Sequence, residues 1–184
     1  FASGDKQWGY FPSVGLAWRI SNEPFLMGNS VISDAKFKFS FGESGNTQIP
    51  TFQSKSAAGG AGYIFNGGTL TPGASIIRLA NDNLSWEKTR EVDFGLTLGL
   101  FDDRITMEAD YYDKETKDLL LAVPVPVTSG YQTVFKNLGL VSNKGFEFSL
   151  NANIVDKRDL KWNMNFNIST NKNKVLDLGG ADEF

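Results

Sequence analysis

Residues 143–174 read NKGFEFSLNANIVDKRDLKWNMNFNISTNKNK, and this stretch decides the fold class. It holds two runs of strict two-residue alternation, joined by the charged turn at 156–159. One face carries Phe146, Phe148, Leu150, Ala152 and Ile154 in the first run, and Trp162, Met164, Phe166, Ile168 and Thr170 in the second. Successive side chains of a strand point to opposite faces, so each run predicts a strand with one apolar and one polar surface. The apolar surface faces either a protein core or lipid.

Four further segments alternate in the same way, which brings the predicted strands to six. They begin near Trp8, Ala35, Glu91 and Ile105, and the first runs from Trp8 to Ile20. On that strand Tyr10 and Trp18 are separated by roughly 20 Å of height, if the strand is tilted by about 40°. This height is close to that of the apolar band, flanked by aromatic girdles, of an outer-membrane barrel. Taken alone, the segment fits a long sandwich strand equally well.

The connections between these strands differ in length in a regular way. Those at 22–34, at Asp102-Asp103 and at 156–160 are short or moderate, whereas 45–83 and 114–142 are long. We expect the first long connection to be a flexible loop because it is rich in glycine. In the second, Pro124 and Pro126 exclude a central strand but allow an edge or an extended segment. Short turns on one side and long loops on the other are typical of outer-membrane barrels.

Composition excludes several classes of function. The 184 residues contain no cysteine and no histidine, so disulfides, thiolate metal sites and the commonest general base are absent. A net charge of −3 gives no electrostatic footprint for nucleic acid. There is no long apolar run that would predict a transmembrane helix, and the first residues lack the layout of a signal peptide. We expect no cofactor, no metal and no enzymatic activity.

Many short segments, in order, resemble the SusC/RagA class of TonB-dependent outer-membrane transporters. The first are YFPSV at 10–14 and LAWRIS at 16–21, followed by Glu23 and Phe25. The others are ISDAK at 32–36, FGESGN at 41–46, NLSWEKT at 83–89, LFDDRI at 100–105, DYYDKET at 110–116, PVP at 124–126, SG at 129–130, NLG at 137–139, VSNKGFE at 141–147, Trp162 and NKNKV at 171–175. The resemblance covers nearly the whole chain.

The resemblance implies an all-β chain of antiparallel up-and-down strands within a transmembrane barrel of about 22 strands. Six strands cannot close such a barrel, so residues 1–184 are expected to be a partial barrel domain without the plug, the TonB-contacting segment and the terminal strands. The implied location is the outer membrane of a Gram-negative, Bacteroidota-like bacterium. The implied function is import of glycans or peptides, with a SusD-like surface lipoprotein and with energy delivered through TonB.

Candidate contacts to a substrate come from two sources. Loop aromatics at Tyr63, Phe65 and Tyr131 can stack on a ligand, although packing within the loops explains them at least equally well. The asparagines at Asn163, Asn165 and Asn167 can hydrogen-bond sugar hydroxyls, although a wet lumen wall is the simpler interpretation. The carboxylates Glu108 and Asp110 are interpreted as lumen wall, paired with Arg104, with Arg19 or with plug residues, rather than as catalytic acids.

One alternative remains open from sequence. The phenylalanine rows can instead form the core of a soluble β-sandwich carbohydrate-binding module. The two hypotheses differ in what covers the apolar faces, which is a second sheet in the sandwich and lipid in the barrel.

Overall fold

The computed structural model describes residue 2, residues 4–64 and residues 67–179, and these residues form an all-β fold. The strands are β1 Ser13–Arg19, β2 Ile32–Asn46, β3 Ala57–Ile64, β4 Leu70–Arg78, β5 Glu87–Leu100, β6 Ile105–Pro124, β7 Thr133–Lys157 and β8 Leu160–Asp177. Single 3₁₀ turns lie at Gly4–Gln7, Ile20–Asn22 and Val127–Ser129. In the described part of the chain, no helix is long and apolar enough to cross a membrane.

Six of the strands form one antiparallel sheet in the order β1-β2-β5-β6-β7-β8, and β3 pairs with β4 in a separate hairpin. The six strands predicted from alternation are the six strands of the large sheet, so the antiparallel up-and-down fold is confirmed. Each strand pairs with the next one of the sheet along the chain, apart from the β3–β4 insertion. The connections therefore alternate between the two ends of the sheet.

We call these ends the turn end and the loop end. The turn end carries the connections at 20–31, 101–104 and 158–159, and the loop end carries those at 47–86 and 125–132. At the turn end the tight β5–β6 turn is confirmed, with Phe101, Asp102 and Asp103 all at positive φ near 55–59°. The charged β7–β8 turn is confirmed as well, since β7 ends at Lys157 and β8 begins at Leu160.

The first strand is shorter than predicted. It begins at Ser13 rather than Trp8, and its pairing with β2 ends at Ser13 opposite Gly42. Pro12 has no N–H to continue the ladder, although its carbonyl still accepts a bond of 2.9 Å from the N–H of Glu43. Tyr10 thus precedes β1, and the predicted pair of girdle residues on one strand is wrong.

The composition of the glycine-rich connection at 45–83 predicts a flexible loop, but in the structure this connection contains the β3–β4 hairpin. Its glycines are needed by packing. A Cβ atom at Gly59 would lie 2.9 Å from a methyl carbon of Ile77, and one at Gly62 would lie 2.8 Å from a methyl carbon of Leu70. Glycine on β3 therefore makes room for the large side chains of β4 and does not signal flexibility here.

The connection predicted at 114–142 is much shorter in the structure. Strand β6 continues to Pro124 and β7 begins at Thr133, so only 125–132 is a loop. Beyond Lys117, β6 pairs with β7 alone, and both strands have become edges there. A proline is tolerated at an edge, and Pro124 is the last residue of its strand. The result is a two-stranded ribbon that extends beyond the six-stranded sheet.

The sheet has almost no interior. Among the described residues, Leu84 is the large side chain that is fully buried, whereas Trp18, Phe166 and Ile168 are about half exposed at 50%, 49% and 50%. A β-sandwich would place a second sheet about 10 Å above these side chains. In the described ranges the only other sheet is the two-stranded β3–β4 hairpin. The structure therefore does not support the soluble β-sandwich alternative.

Candidate functional site

The register of the large sheet aligns its apolar side chains into continuous rows on one face, here called the apolar face. One row runs from Trp18 through Phe37, Leu96, Ala109 and Phe148 to Ile168. The next row toward the loop end runs from Leu16 through Phe39, Phe94, Tyr111 and Phe146 to Thr170. Since every strand contributes to the same face, this surface is apolar across the whole width of the sheet.

Two exposed tryptophans give the tilt of the strands. The row that starts at Trp18 on β1 reaches β8 at Ile168, six residues from Trp162. Six residues span about 20 Å along a strand, and five strand spacings span about 24 Å across the sheet. If both tryptophans lie at one membrane interface, as such residues prefer, the strands are tilted by about 40°. Strands of outer-membrane barrels are tilted by about 35–45°.

The opposite, polar face carries a charge network that crosses three strands. The ammonium of Lys38 on β2 contacts the carboxylate of Glu108 on β6 and lies 3.5 Å from that of Asp110. Gly95 of the intervening β5 lies between them, and a Cβ there would be 2.4 Å from Asp110 Oδ1 and 2.7 Å from Lys38 Cε. The glycine thus allows an ion pair to form over the middle strand.

The partner of the acidic pair differs from the one predicted. Arg104 donates to the backbone carbonyls of Asn153 and Ile154, at 2.8 and 2.7 Å, and makes no ion pair among the described residues. Arg19 pairs with Asp34 at 2.9 Å. Lys38 is the partner because the register places β2 and β5 side by side, with the hairpin insertion between them in sequence.

Reversing the charge of Lys38 tests this network. In the full-length protein, Lys38→Glu places a third carboxylate beside Glu108 and Asp110, and we expect the free energy of unfolding to fall by about 1 kcal/mol, since the groups are partly exposed to water. The double variant Lys38→Glu/Glu108→Lys should recover at least half of the loss. The measurement is denaturant unfolding in lipid vesicles.

Lys36→Glu is the matched control, because Lys36 lies two residues away on the same face and makes no ion pair among the described residues. An equal loss for both single variants, with no recovery in the double variant, would show that the Lys38 contacts contribute nothing.

Asparagines line the polar face on β7 and β8. Asn163 lies opposite Asn153, Asn165 opposite Asn151, and Asn167 opposite Ser149. All three β8 asparagines are exposed. An amide offers both donors and an acceptor, so this surface can hydrogen-bond water or hydroxyl-rich ligands without adding charge. The sequence prediction of an asparagine row on one face is confirmed, while its contact with a substrate stays a prediction.

At the loop end, one side chain fixes the chain that leads into β5. Asn137 on β7 accepts a bond of 2.8 Å from the N–H of Ser85 and donates a bond of 2.8 Å to the carbonyl of the same residue. Its amide nitrogen also donates to the carbonyl of Asp118 at 2.9 Å. The Asn137 side chain therefore bonds both the N–H and the carbonyl of Ser85, as a neighbouring strand would. Ser85 is next to the fully buried Leu84.

Two more bonds hold the same segment against the ribbon of β6 and β7. Asn81 donates from Nδ2 to the carbonyl of Phe135 at 2.7 Å, and the N–H of Leu120 donates to Glu87 at 3.2 Å. The segment 81–87 is thus fastened to both strands of the ribbon. The sequence composition did not predict these bonds, because they join residues about 33 to 54 positions apart.

The structure separates the predicted substrate contacts into two groups. Tyr63 lies exposed on β3, and Tyr131 lies partly buried in the 125–132 loop, both on the loop-end side of the sheet. Phe65 lies outside the described residues. Asn163, Asn165 and Asn167 lie near the turn end, opposite 149–153 of β7. Thr133, where β7 begins, is about 55–65 Å from those positions along the strand, so one small ligand cannot contact both groups at once.

The polar face offers charged and hydrogen-bonding groups that can bind polar solutes. Among the described residues no group of three acidic, histidine or cysteine side chains could hold a metal ion. The polar groups nearest to Lys38 are satisfied by ion pairs and by the bond from Ser40 to Asp93 at 2.8 Å. Such a surface can position water and polar solutes along a wall.

Comparison with known proteins agrees with a wall of this kind. The family model described as "TonB dependent receptor-like, beta-barrel" matches residues 1–181. The chain is 38% identical over 180 residues to TonB-dependent receptor P26 of Formosa agariphila, covering 98% of this chain and 18% of that protein. It is 35% identical over 189 residues to TonB-dependent receptor SusC of Bacteroides thetaiotaomicron, with the same two coverages.

Solved structures agree as well. The structure of the RagAB peptide transporter superposes with a TM-score of 0.85 at 30% identity, covering 97% of this chain and 19% of that one. The RagAB peptide importer in its "open-open" state gives 0.79 at 31% identity, covering 91% and 18%. The chain thus spans less than a fifth of the length of these relatives. It belongs to the TonB-dependent receptor β-barrel family of outer-membrane proteins, as a SusC/RagA-type segment of the barrel.

Proposed function

We propose that these strands are a partial barrel domain, the wall and outer loops of a transporter that imports glycans or peptides across the outer membrane. The observation that carries the proposal is the two-faced sheet, together with the family match. The apolar face would contact lipid, and the polar face would line the lumen. The plug, the TonB-contacting segment and the remaining strands would be supplied by the rest of the transporter.

The orientation follows from the lengths of the connections. Short turns face the periplasm and long loops face the outside in outer-membrane barrels, so the loop end would be extracellular. The β6–β7 ribbon and the β3–β4 hairpin would then project above the membrane. There they would meet a SusD-like surface lipoprotein, and energy would come through TonB. The similarity to the RagAB peptide transporter supports a peptide substrate, and the hydroxyl-binding asparagine row would equally suit a glycan.

The two groups of candidate contacts fit successive steps of import. Tyr63, Phe65 and Tyr131 would meet the substrate at the mouth, where an aromatic ring can stack on a sugar or a peptide side chain. Asn163, Asn165 and Asn167 would meet it much later, near the periplasmic end of the wall. The ion pairs of Lys38 lie between the two groups and would stabilise the arrangement of β2, β5 and β6.

Uptake by living cells tests the function. In a strain that depends on the full-length transporter, we expect uptake of a labelled oligosaccharide or peptide panel to fall to background when TonB is deleted, and to fall strongly when the lipoprotein is deleted. Uptake that is unchanged without TonB would contradict the proposal. We expect Tyr131→Ala to raise the half-saturating concentration several-fold.

Tyr10→Ala is the control, because Tyr10 is a highly exposed loop-end tyrosine, at 83%, that is not among the candidate contacts. Replacing Asn163, Asn165 and Asn167 together by alanine should lower the maximal rate and leave the half-saturating concentration unchanged. Equal effects of Tyr131→Ala and Tyr10→Ala would remove Tyr131 from the set of substrate contacts.

A further inference from the structure

The outer surface of the sheet changes abruptly from apolar to basic toward the loop end. On β6, β7 and β8 the last mainly apolar row contains Tyr111, Phe146 and Thr170, and the next row contains Asp113, Lys144 and Lys172. On β1, β2 and β5 that next row is still apolar, with Val14, Phe41 and Val92. Two further rows on the same face carry more charge. We call the basic side chains of these three rows the basic belt, and its members are Lys88, Arg90, Lys117, Lys144, Lys172 and Lys174.

The belt lies at the height of lipid headgroups. One row corresponds to two residues along a strand, or about 5 Å of height at the tilt derived above. The headgroup region on each side of a bilayer is about 5–8 Å thick. Because each strand spacing from β5 toward β8 raises a row by about 3 Å at that tilt, Lys144 and Arg90 lie at the inner edge of that region, with Lys172 and Lys174 farther out.

The belt is basic although the chain as a whole is acidic. The same three rows contain four acidic side chains, Glu43, Asp113, Glu115 and Asp177, against six basic ones. The whole chain has a net charge of −3. Positive charge is thus concentrated on the apolar face directly above the lipid-facing rows.

Only part of this charge is neutralised by ion pairs. Lys144 pairs with Asp113 at 2.6 Å and Lys117 with Glu115 at 4.0 Å. Arg90 lies over the ring of Phe41, 5.3 Å from its centre. Among the described residues Lys88, Lys172 and Lys174 make no ion pair, and all three are exposed.

Lys88 lies on the inner strand β5, so its exposure does not result from an open edge of the six-stranded sheet, whereas Lys172 and Lys174 lie on the edge strand β8, of which every residue is exposed. Further strands would extend the sheet sideways and would leave its outer surface as it is. Long basic side chains at the edge of an apolar band place their stems along the hydrocarbon and their charges in the headgroup layer. Phosphate groups are the anions available in that layer, and lysine and arginine bind them by charge-assisted hydrogen bonds.

From this placement we propose that the basic belt binds the phosphate groups of lipopolysaccharide in the outer leaflet. The proposal rests on the orientation given above, in which the loop end is extracellular. The apolar rows hold the acyl chains, and Lys88, Lys172 and Lys174 hold phosphate at two to three heights above them. The transporter thereby carries an ordered layer of glycolipid on this sector of its wall.

Lipid binding to the purified full-length transporter tests the proposal. With lipopolysaccharide as the probe in detergent, we expect the triple variant Lys88→Gln/Lys172→Gln/Lys174→Gln to bind at least tenfold more weakly than the unchanged protein, since each lysine near an anionic surface contributes several-fold. The matched control is Lys157→Gln/Lys161→Gln at the turn end, which also removes exposed lysines and should bind as the unchanged protein does. Equal affinity for the triple variant and the unchanged protein would overturn the proposal.

Two measurements on the unchanged protein remain decisive if the triple variant does not fold. Enzymatic removal of the phosphates from lipopolysaccharide should lower its affinity at least tenfold, and phosphatidylglycerol should bind more weakly than lipopolysaccharide. Phosphate-independent binding, or equal binding of phosphatidylglycerol, would overturn the assignment. Labelling of a Tyr131→Cys variant from outside the cell tests the orientation separately, and TonB-dependent uptake tests the transport function. A failure of the lipid-binding proposal can therefore be distinguished from a failure of the orientation or of the transport function.

Discussion

The variant Leu96→Arg in the full-length transporter is expected to lose about 1–3 kcal/mol of folding free energy in a lipid bilayer. Leu96 lies on β5 halfway along its apolar run from Val92 to Leu100, and its side chain is 39% exposed on the apolar face. By the tilt derived above, this position lies inside the hydrocarbon, about 6 Å from the interface at which Trp18 and Trp162 lie. There arginine must either lose its hydration or deform the bilayer.

The adjacent variant Thr97→Arg is the matched control. Thr97 lies on the polar face, between Lys36 on one side and Glu108 on the other, so an arginine there meets water and a carboxylate. We expect a change within about 0.5 kcal/mol. Both variants are measured by denaturant titration in vesicles. A larger loss for Thr97→Arg than for Leu96→Arg would reverse the assignment of the two faces.

The second large effect is expected at the loop end. Asn137→Ala removes the partners of both backbone groups of Ser85 and one partner of the Asp118 carbonyl. Partly buried backbone groups left without partners cost about 1–3 kcal/mol. Because the bonds fasten a loop rather than the membrane-spanning sheet, this cost should appear as local opening of residues 81–87. Amide hydrogen exchange at Ser85 should accelerate by at least tenfold.

Asn173→Ala provides the comparison for this experiment. Asn173 also uses its amide, but it makes a single exposed bond of 2.6 Å to the side chain of Asn143. Its loss should leave exchange at Ser85 unchanged. If Asn137→Ala also leaves that exchange rate unchanged, the segment is held by other contacts.

The large sheet could be predicted from sequence because its information is local. Alternation identifies each strand and its apolar face from a few neighbouring residues, as in Phe146 to Ile154. The charged turn at 156–159 and the aspartates at 102–103 show which strands form hairpins. Register follows from keeping the apolar rows aligned, since a slip of one residue would move every side chain to the other face.

Features that depend on distant partners could not be predicted in this way. From sequence, Gly59 and Gly62 suggest a flexible loop. In the structure they make room for the side chains of Ile77 and Leu70, which lie on the partner strand β4. Lys38 becomes the partner of Glu108 only after β2 and β5 are placed side by side across the hairpin insertion. The full length of β6 could not be predicted because Pro124 and Pro126 exclude a central strand, whereas in the structure Pro124 ends β6 at the edge of the ribbon and Pro126 lies in the loop.

The candidate site also combines features that local sequence predicts with features that depend on distant residues. The asparagine row on β8 was predicted, because period-two alternation is enough to assign its face. The separation of that row from Tyr131 depends on how far β7 extends beyond the sheet, which the pattern of residues 133–142 does not reveal. The role of Asn137 could not be predicted, because its side chain bonds the backbone of Ser85 and no sequence pattern indicates such a bond.

The most direct test of the wall is a spin-label scan along β7 in the full-length transporter in vesicles. These 184 residues contain no cysteine, so once any cysteine elsewhere in the full-length transporter is replaced, single cysteines at 146–152 can be labelled one at a time. Accessibility is then measured to oxygen, which concentrates in lipid, and to a water-soluble nickel complex. We expect maxima for oxygen at 146, 148, 150 and 152, and maxima for nickel at 147, 149 and 151. The absence of a two-residue period, or the same period with the phases exchanged, would contradict a wall whose phenylalanine face meets lipid.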